Sequence, residues 1–398
     1  MKVITDEKII DEILSKGVED VFVKEHLKKQ LMSGKVLRIK LGIDPTGPKI
    51  HLGRAIPLRK LRAFQDLGHK AVLIVGDFTA TIGDPSDKLE KRPMLTTNKI
   101  KENMKDYKKQ IGKIIDIKKA EFVYNSSWLK KLSMMETSIL AESFSLQQMS
   151  KRRNFQDRLE KDEEISLREL FYPLMQGYDS VAVKSDVEIG GFDQLFNVKA
   201  GRTIQKHYGM SEQDILTVQM LEGTDGRKMS TSWGNVITIV DEPNDMYGKV
   251  MSVKDELLSK YFLLCTDIPM SQIKDFEKKI TDGMNPKDFK MGLAYEIVKI
   301  YHGEKKAKEA ETNFVNTFSK KEIPDEMEEI KGNAGESLVD VLLNKKVLTS
   351  KGEWRRLVEQ NAIHDLENDT RITDVNYKVE KDLTLKIGKK RFIKIIVK

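Results

Sequence analysis

Ala71-Val72-Leu73-Ile74-Val75-Gly76 is the stretch that most limits what this chain can fold into. A compact run without a polar side chain reads as a strand buried on both faces, and such strands belong to sheets covered by helices. The flanking sequence supplies both element types. Val36 to Ile43 reads as a strand, broken by Asp44-Pro45-Thr46-Gly47-Pro48. A helix is expected from Gly53 to about Leu67, with Ala55, Leu58, Leu61 and Phe64 on one face. Pro57 is expected in its first turn or so, where a missing N–H is harmless. Glu121 to Tyr124 and Ile215 to Met220 read as further strands. Strands alternating with helices predict an α/β fold with a doubly wound parallel sheet, whose ligands lie outside the carboxyl ends of the strands.

Past Pro243 the pattern changes. Met246 to Met251, Leu257 to Leu264, Ile273 to Ile280 and Phe289 to Tyr301 carry apolar faces at helical spacing. An acidic stretch then runs into Gly332-Asn333-Ala334-Gly335 and reads as a linker. Beyond it, Ser337 to Lys346 and Lys351 to Gln360 predict two short helices, followed by strands with Leu383, Leu385, Ile387, Phe392, Ile393 and Ile395 as apolar positions. The expected organisation is a catalytic α/β domain over 1–240, an all-helical domain over 241–322, a linker over 323–335 and a small α+β domain over 336–398.

Composition excludes several classes. No apolar run approaches the roughly 18 residues of a membrane span, and the N-terminus lacks the pattern of a signal peptide. A single cysteine, Cys265, rules out an internal disulfide framework and a Cys-rich zinc site. No metal site is expected from the six scattered His residues. A cytoplasmic protein is the reading. Lys and Arg number 69 against 62 Asp and Glu, and the basic excess is concentrated at the end. From Arg371 to Lys398 nine basic residues meet three acidic ones. That is the charge pattern of a module that touches a polyanion, although solvated lysines account for most other runs.

Two strings carry the chemistry. His51-Leu52-Gly53-Arg54 follows a strand and a Gly/Pro turn and opens a helix. Helix N-termini offer free N–H groups and partial positive charge to a phosphate, and Gly53 permits close backbone approach. Lys228-Met229-Ser230-Thr231-Ser232 lies in a polar, glycine-flanked loop after the Ile215–Met220 strand. Its lysine can act as a point charge on a polyphosphate. A packed His and a plain surface loop are the simple accounts of each string alone. In this order, each beside a strand, they resemble the paired ATP-handling motifs of class I aminoacyl-tRNA synthetases. Arg54 stands where those enzymes commonly carry a second His.

Further blocks narrow the resemblance. Leu41-Gly42-Ile43-Asp44-Pro45-Thr46, Gly83-Asp84-Pro85-Ser86, Tyr172 to Asp179, Gly190-Gly191-Phe192-Asp193-Gln194 and the two motifs together resemble the bacterial-type tyrosyl-tRNA synthetases over nearly the whole chain. The resemblance implies a Rossmann-like catalytic domain, ATP as substrate with Mg²⁺ accompanying it, and tyrosine and tRNA(Tyr) as partners. It also implies a homodimer, with the apolar positions from Met134 to Phe144 as its candidate surface. DNA and membranes are not expected partners.

Residue by residue, the resemblance implies a tyrosine site of Gly42, Asp84, Tyr172, Gln176, Asp179 and Gln194. Tyr172, Gln176 and Asp179 share one helix face at 3.6 residues per turn. Asp84, Tyr172 and Gln176 would hold the ammonium group, and Asp179 would accept the phenol proton. Many relatives place a Tyr in the strand before Gly42; here that strand reads Arg38-Ile39-Lys40-Leu41. Recognition of the hydroxyl would therefore rest more heavily on Asp179. For ATP the implied residues are Gly53, Arg54, Gly191, Asp193, Lys228, Met229 and Ser230, with Thr46, His51, Lys88, Arg92 and Lys228 stabilising the transition state. For Asp193 and Gln194, an incidental Gly-Gly turn reads equally well from sequence alone.

The C-terminal unit resembles the RNA-binding domain shared with a small-subunit ribosomal protein. Candidate tRNA contacts are Lys151, Arg152 and Arg153, then Arg355 and Arg356, then Lys389, Lys390 and Arg391. A tryptophanyl enzyme, which shares the fold and motifs, is the nearest rival. Small-molecule adenylyl or cytidylyl transferases, which the terminal RNA-binding unit fits poorly, and a catalytically impaired RNA-binding paralogue are the others.

Overall fold

The computed structural model describes residues 2–86, 94–283, 285–321, 327–367, 370–388 and 391–397. By compactness the chain divides into Met1–Glu311 and Thr312–Lys398.

The first unit is built on a six-stranded sheet: β1 Val18–Phe22, β2 Arg38–Ile43, β3 Lys70–Val75, β4 Glu121–Tyr124, β5 Val187–Gly191 and β6 Asp214–Val218. Their order across the sheet is β1-β6-β5-β2-β3-β4. Strands β2 to β6 pair in parallel, and β1 is an antiparallel edge on β6. All five residues of β6 and the last five of β3 are buried, as a sheet covered on both faces requires. Two strands escaped the sequence reading. β1 carries adjacent Glu19 and Asp20, and β5 ends in two glycines with Glu188 as its second residue.

Chain order reverses between β2 and β5: β3 and β4 add on one side, β6 on the other. A doubly wound sheet opens its binding crevice at such a reversal. The helices that line it start or end there. Leu52–Asp66 follows β2, Leu167–Ala182 precedes β5, and Leu195–His207 follows it. Pro57 lies in the second turn of Leu52–Asp66 rather than its first, which corrects the expectation. The missing N–H therefore leaves the Gly53 carbonyl without its usual partner four residues on.

Helices alone follow from Pro243–Met251 to Pro286–His302, on the predicted segments. Among the described residues no helix is long and apolar enough to cross a membrane.

In the second unit, β7 Glu328–Gly332 pairs in parallel with β13 Arg391–Val397. Part of the expected linker over 323–335 is thus a strand. Ile330, on the buried face, gives it a side chain to contribute to the core, which an acidic composition hides. The sheet continues through β12 Leu383–Ile387, β9 Ile363–Asp365 and β10 Thr370–Arg371, while β8 Glu336–Ser337 pairs with β11 Lys378–Val379. Leu342, Trp354, Ile363, Leu385 and Ile395 form its centre.

Candidate functional site

The turn that ends β2 organises the crevice. Asp44 accepts from the Thr79 hydroxyl at 2.7 Å and from the Tyr172 hydroxyl at 3.0 Å. Gly76, just past β3, makes room for it: a Cβ there would stand 1.9 Å from an Asp44 oxygen. Asp44 has no role in the expectations drawn from sequence. Its place at the carboxyl end of a strand was the available signal.

A hydrogen-bonded chain continues to Asp179. Asn125 Nδ2 donates to Thr79 Oγ1 at 3.0 Å and to Asp179 Oδ2 at 3.3 Å, and Trp128 Nε1 donates to Asp179 Oδ1 at 2.7 Å. Asn125 and Trp128 were also missed, although they follow β4 as Asp44 follows β2. Burial pushes the Asp179 carboxyl up to about 7, against the opposing pull of Lys40 and the two donors. Burial, followed by the carboxylates of Asp44, Asp84 and Asp179, holds the Tyr172 phenol well above its ordinary range. A pocket with three carboxylates around one phenol suits a cation.

Asp84 accepts from Gln194 Nε2 at 2.6 Å and Asn197 Nδ2 at 3.2 Å. The structure therefore brings Asp84, Gln194 and Tyr172 together. Gln176 instead donates to Glu188 Oε1 at 3.0 Å. Lys40 meets the same oxygen at 2.9 Å, in an ion pair with each side chain only 1% exposed. Lys40 also donates to the Gln176 carbonyl and the Ser180 hydroxyl, so this buried pair ties β2 and β5 to the helix that carries Asp179. Gly42 is exposed, with open space where a Cβ would stand.

Arg152 needs correcting. Expected on the tRNA surface, it is 6% exposed. Its guanidinium donates to Ser86 Oγ at 3.0 Å and Asn197 Oδ1 at 3.2 Å, and lies over the rings of Phe155 and Phe196. It braces the Asp84 neighbourhood. One ring from the next turn, Phe155, and one distant in sequence, Phe196, hold a cation that its basic neighbours disguise.

On the motif side, His51 precedes the helix with extended backbone and no capping bond from its side chain. It bridges to Thr238, and Leu52 N donates to the Ile237 carbonyl, so the first motif is stitched to the segment after the second. Burial, then Arg54 and Lys228, lower the imidazole to about 3. His51 is therefore neutral at physiological pH, and its buried Nδ1 has no hydrogen-bond partner among the described residues. Gly53 N donates to Met229 Sδ at 3.4 Å. Met229 is buried against the first motif.

Lys228 pairs with Asp193 at 3.0 Å. Asn235 shapes the loop between them by accepting from Ser230 N at 2.9 Å and donating to the Lys228 carbonyl at 3.1 Å. Gly191 has no side chain because a Cβ would come 2.6 Å from Asp193 Oδ1. Arg54 reaches back to the β2 turn, with Nη2 2.5 Å from Thr46 Oγ1 and Nη1 3.2 Å from the Tyr107 hydroxyl. Lys88 and Arg92 lie outside the described residues.

Of the other tRNA candidates, Lys151 is exposed and the Arg153 side chain is outside the description. Arg355 and Arg356 are exposed on Lys351–Glu359, whose other face buries Trp354 and Val358. Arg391 is exposed and donates to the Val347 carbonyl. Lys389 and Lys390 lie outside the described residues.

Comparison with known proteins identifies the family. The family model of class I tRNA synthetases (W and Y) matches residues 32–319. Tyrosine–tRNA ligase of Thermotoga maritima is 46% identical over 387 residues, covering 96% of this chain and 96% of that one. Its counterpart from Carboxydothermus hydrogenoformans is 46% identical over 402 residues, covering 97% of each. Among solved structures, a C-terminally truncated mitochondrial tyrosyl-tRNA synthetase of Aspergillus nidulans superposes with a TM-score of 0.64 at 22% identity, covering 78% of this chain and 94% of that one. The Archaeoglobus fulgidus enzyme, solved with L-tyrosine, gives 0.61 at 20% identity, covering 77% and 100%. Both share the fold. The chain belongs to the class I tRNA synthetases of the tryptophan and tyrosine group, and within them to the bacterial-type tyrosyl-tRNA synthetases. Members of this class use ATP as substrate.

Proposed function

We propose that this chain is a tyrosine–tRNA ligase. The tyrosine carboxylate attacks the α-phosphorus of ATP, the bond to the β-phosphate oxygen breaks, and tyrosyl-adenylate and pyrophosphate form. The acyl group then passes to the terminal ribose of tRNA(Tyr), releasing AMP. The substrate carboxylate is the nucleophile, so the protein need only position the reactants and stabilise charge. One observation carries the amino-acid assignment: a buried carboxylate, Asp179, fixed by Trp128 and Asn125 in the crevice. A phenol satisfies it, and an unsubstituted ring leaves it unpaired.

Asp84, Tyr172, Gln176 and Gln194 take the ammonium and carboxyl end, with Gly42 as the open floor. Gly53, Arg54, Gly191, Asp193, Met229 and Ser230 receive ATP, which arrives as its Mg²⁺ complex. Thr46, His51, Lys228, Lys88 and Arg92 stabilise the transferring phosphates, His51 as a neutral donor. Lys151, Arg153, Arg355, Arg356, Lys389, Lys390 and Arg391 contact tRNA, and the helices over 241–322 form the anticodon side. The enzyme works in the cytoplasm as a homodimer. Met134, Met135 and Ile139 are exposed beside buried Leu140, and this apolar surface supports that pairing. Charging of a tRNA(Tyr) transcript with labelled tyrosine tests the function. Truncation after Gly335 should spare pyrophosphate exchange and cut charging by at least about tenfold through lost phosphate contacts. Equal loss of both activities would contradict the assignment of tRNA contacts to that unit.

A further inference from the structure

The short helices Thr97–Met104 and Tyr107–Ile111 carry none of the motifs, yet they grip the turn between β2 and the first-motif helix along its length. Asn103 Nδ2 donates to the Pro45 carbonyl at 2.9 Å, Tyr107 Oη to the Gly47 carbonyl at 2.9 Å and Gln110 Nε2 to the Pro48 carbonyl at 2.8 Å. Gln110 Oε1 accepts from Ile50 N at 2.9 Å. All three side chains are buried. The Tyr107 hydroxyl has a second bond, accepted from Arg54 Nη1 at 3.2 Å, and Nη1 also lies 3.4 Å from the Asp44 carbonyl.

Arg54 is therefore held by neutral oxygens: a carbonyl and two hydroxyls. A guanidinium keeps its charge in every such setting and presents five donors in a rigid fork, of which neutral acceptors neutralise none. Thr46 completes the arrangement. Its oxygen accepts from Arg54, and among the described residues no acceptor takes its proton. The hydroxyl can donate outward to an anion that the guanidinium attracts.

We propose that Tyr107 and Arg54 act as one positioning unit for ATP: Tyr107 fixes the guanidinium, and the guanidinium fixes the Thr46 hydroxyl toward the phosphates. This inference rests on the reading of the crevice as an ATP site, and it adds Tyr107 to the residues that serve it. It also places Arg54 on the phosphate side of the ATP site.

The test is a double-mutant cycle of Tyr107→Phe and Arg54→Gln in the full-length enzyme, read by ATP–pyrophosphate exchange and by equilibrium dialysis of ATP. Each single substitution should raise the ATP KM by about tenfold while leaving the tyrosine KM within about twofold, and the double variant should be no worse than either single one. Arg54→Gln carries the test if Tyr107→Phe lowers stability, because Arg54 is only half-buried. Parallel rises in the two KM values, multiplicative effects, or unchanged ATP KM would each overturn the unit. Dialysis separates the two ideas: a wild type that binds ATP but exchanges no tyrosine refutes the function, while the cycle in ATP affinity still judges the unit.

Discussion

Asp179 and Lys228 are the central candidate charges of the tyrosine and ATP sides, and they are prepared in different ways. Asp179 is buried on a helix, with both carboxylate oxygens committed to fixed donors from the end of β4. Lys228 sits in a loop with 35% of its side chain exposed, paired with Asp193, another candidate ATP contact. The first arrangement is complete before substrate arrives. The second, as proposed, exchanges its partner for ATP. On the proposed reading, discrimination between amino acids rests on packed elements, where a missing hydroxyl leaves a desolvated acceptor. On the same reading, charge stabilisation rests on a loop whose ion pair is weak enough to give up.

Removing each charge should break this contrast to a different extent. Asp179→Ala should produce the largest change, a collapse of the tyrosine-over-phenylalanine ratio in kcat/KM from about 10⁵, the discrimination already known for tyrosyl enzymes, toward unity. Lys228→Ala should lower the exchange kcat by about 10²-fold, with that ratio intact, since it removes a charge that acts on the phosphates alone. Arg152→Ala should raise the tyrosine KM severalfold, by about 1 kcal/mol of lost bracing, while tRNA affinity and its salt dependence stay as in the wild type. A reduced salt slope would return Arg152 to the RNA surface.

The smallest effect is that of pH. The folded value of Asp179, about 7, lies above that of an unfolded aspartate. The stability it contributes is therefore fully present below about pH 4 and is lost as pH rises through 7. The ionised form accepts a phenol proton better, so the tyrosine KM should fall severalfold between about pH 6 and pH 8. Asp179→Asn should flatten that profile. His51, lowered to about 3, contributes no ionisation in that window.

What the sequence revealed and what it hid divide along the same line. The first-motif helix, β3 and β4 were legible because apolar period and turn residues report on neighbours a few positions away. Spacing put Asp179 on a helix face with Tyr172 and Gln176, and its candidate role came from the family resemblance. Hidden were contacts made by distant parts of the chain. Glu188 occupies a strand only because Lys40, 148 residues earlier, neutralises it. Arg152 is buried because Phe196 and Asn197 come to it. Asn125 and Trp128 gain meaning only once β4 lies beside β3. The antiparallel edge β1, with two acids in five residues, is defined by its pairing with β6 rather than by its own composition.

The central claim is that a buried, pre-satisfied carboxylate makes this crevice a tyrosine site. It is tested most directly by ATP–pyrophosphate exchange with tyrosine, phenylalanine and tryptophan in parallel. Exchange with tyrosine, with phenylalanine and tryptophan slower by at least about 10⁴-fold in kcat/KM, is the result expected. Exchange with tryptophan in preference to tyrosine, or with none of the three, would contradict it.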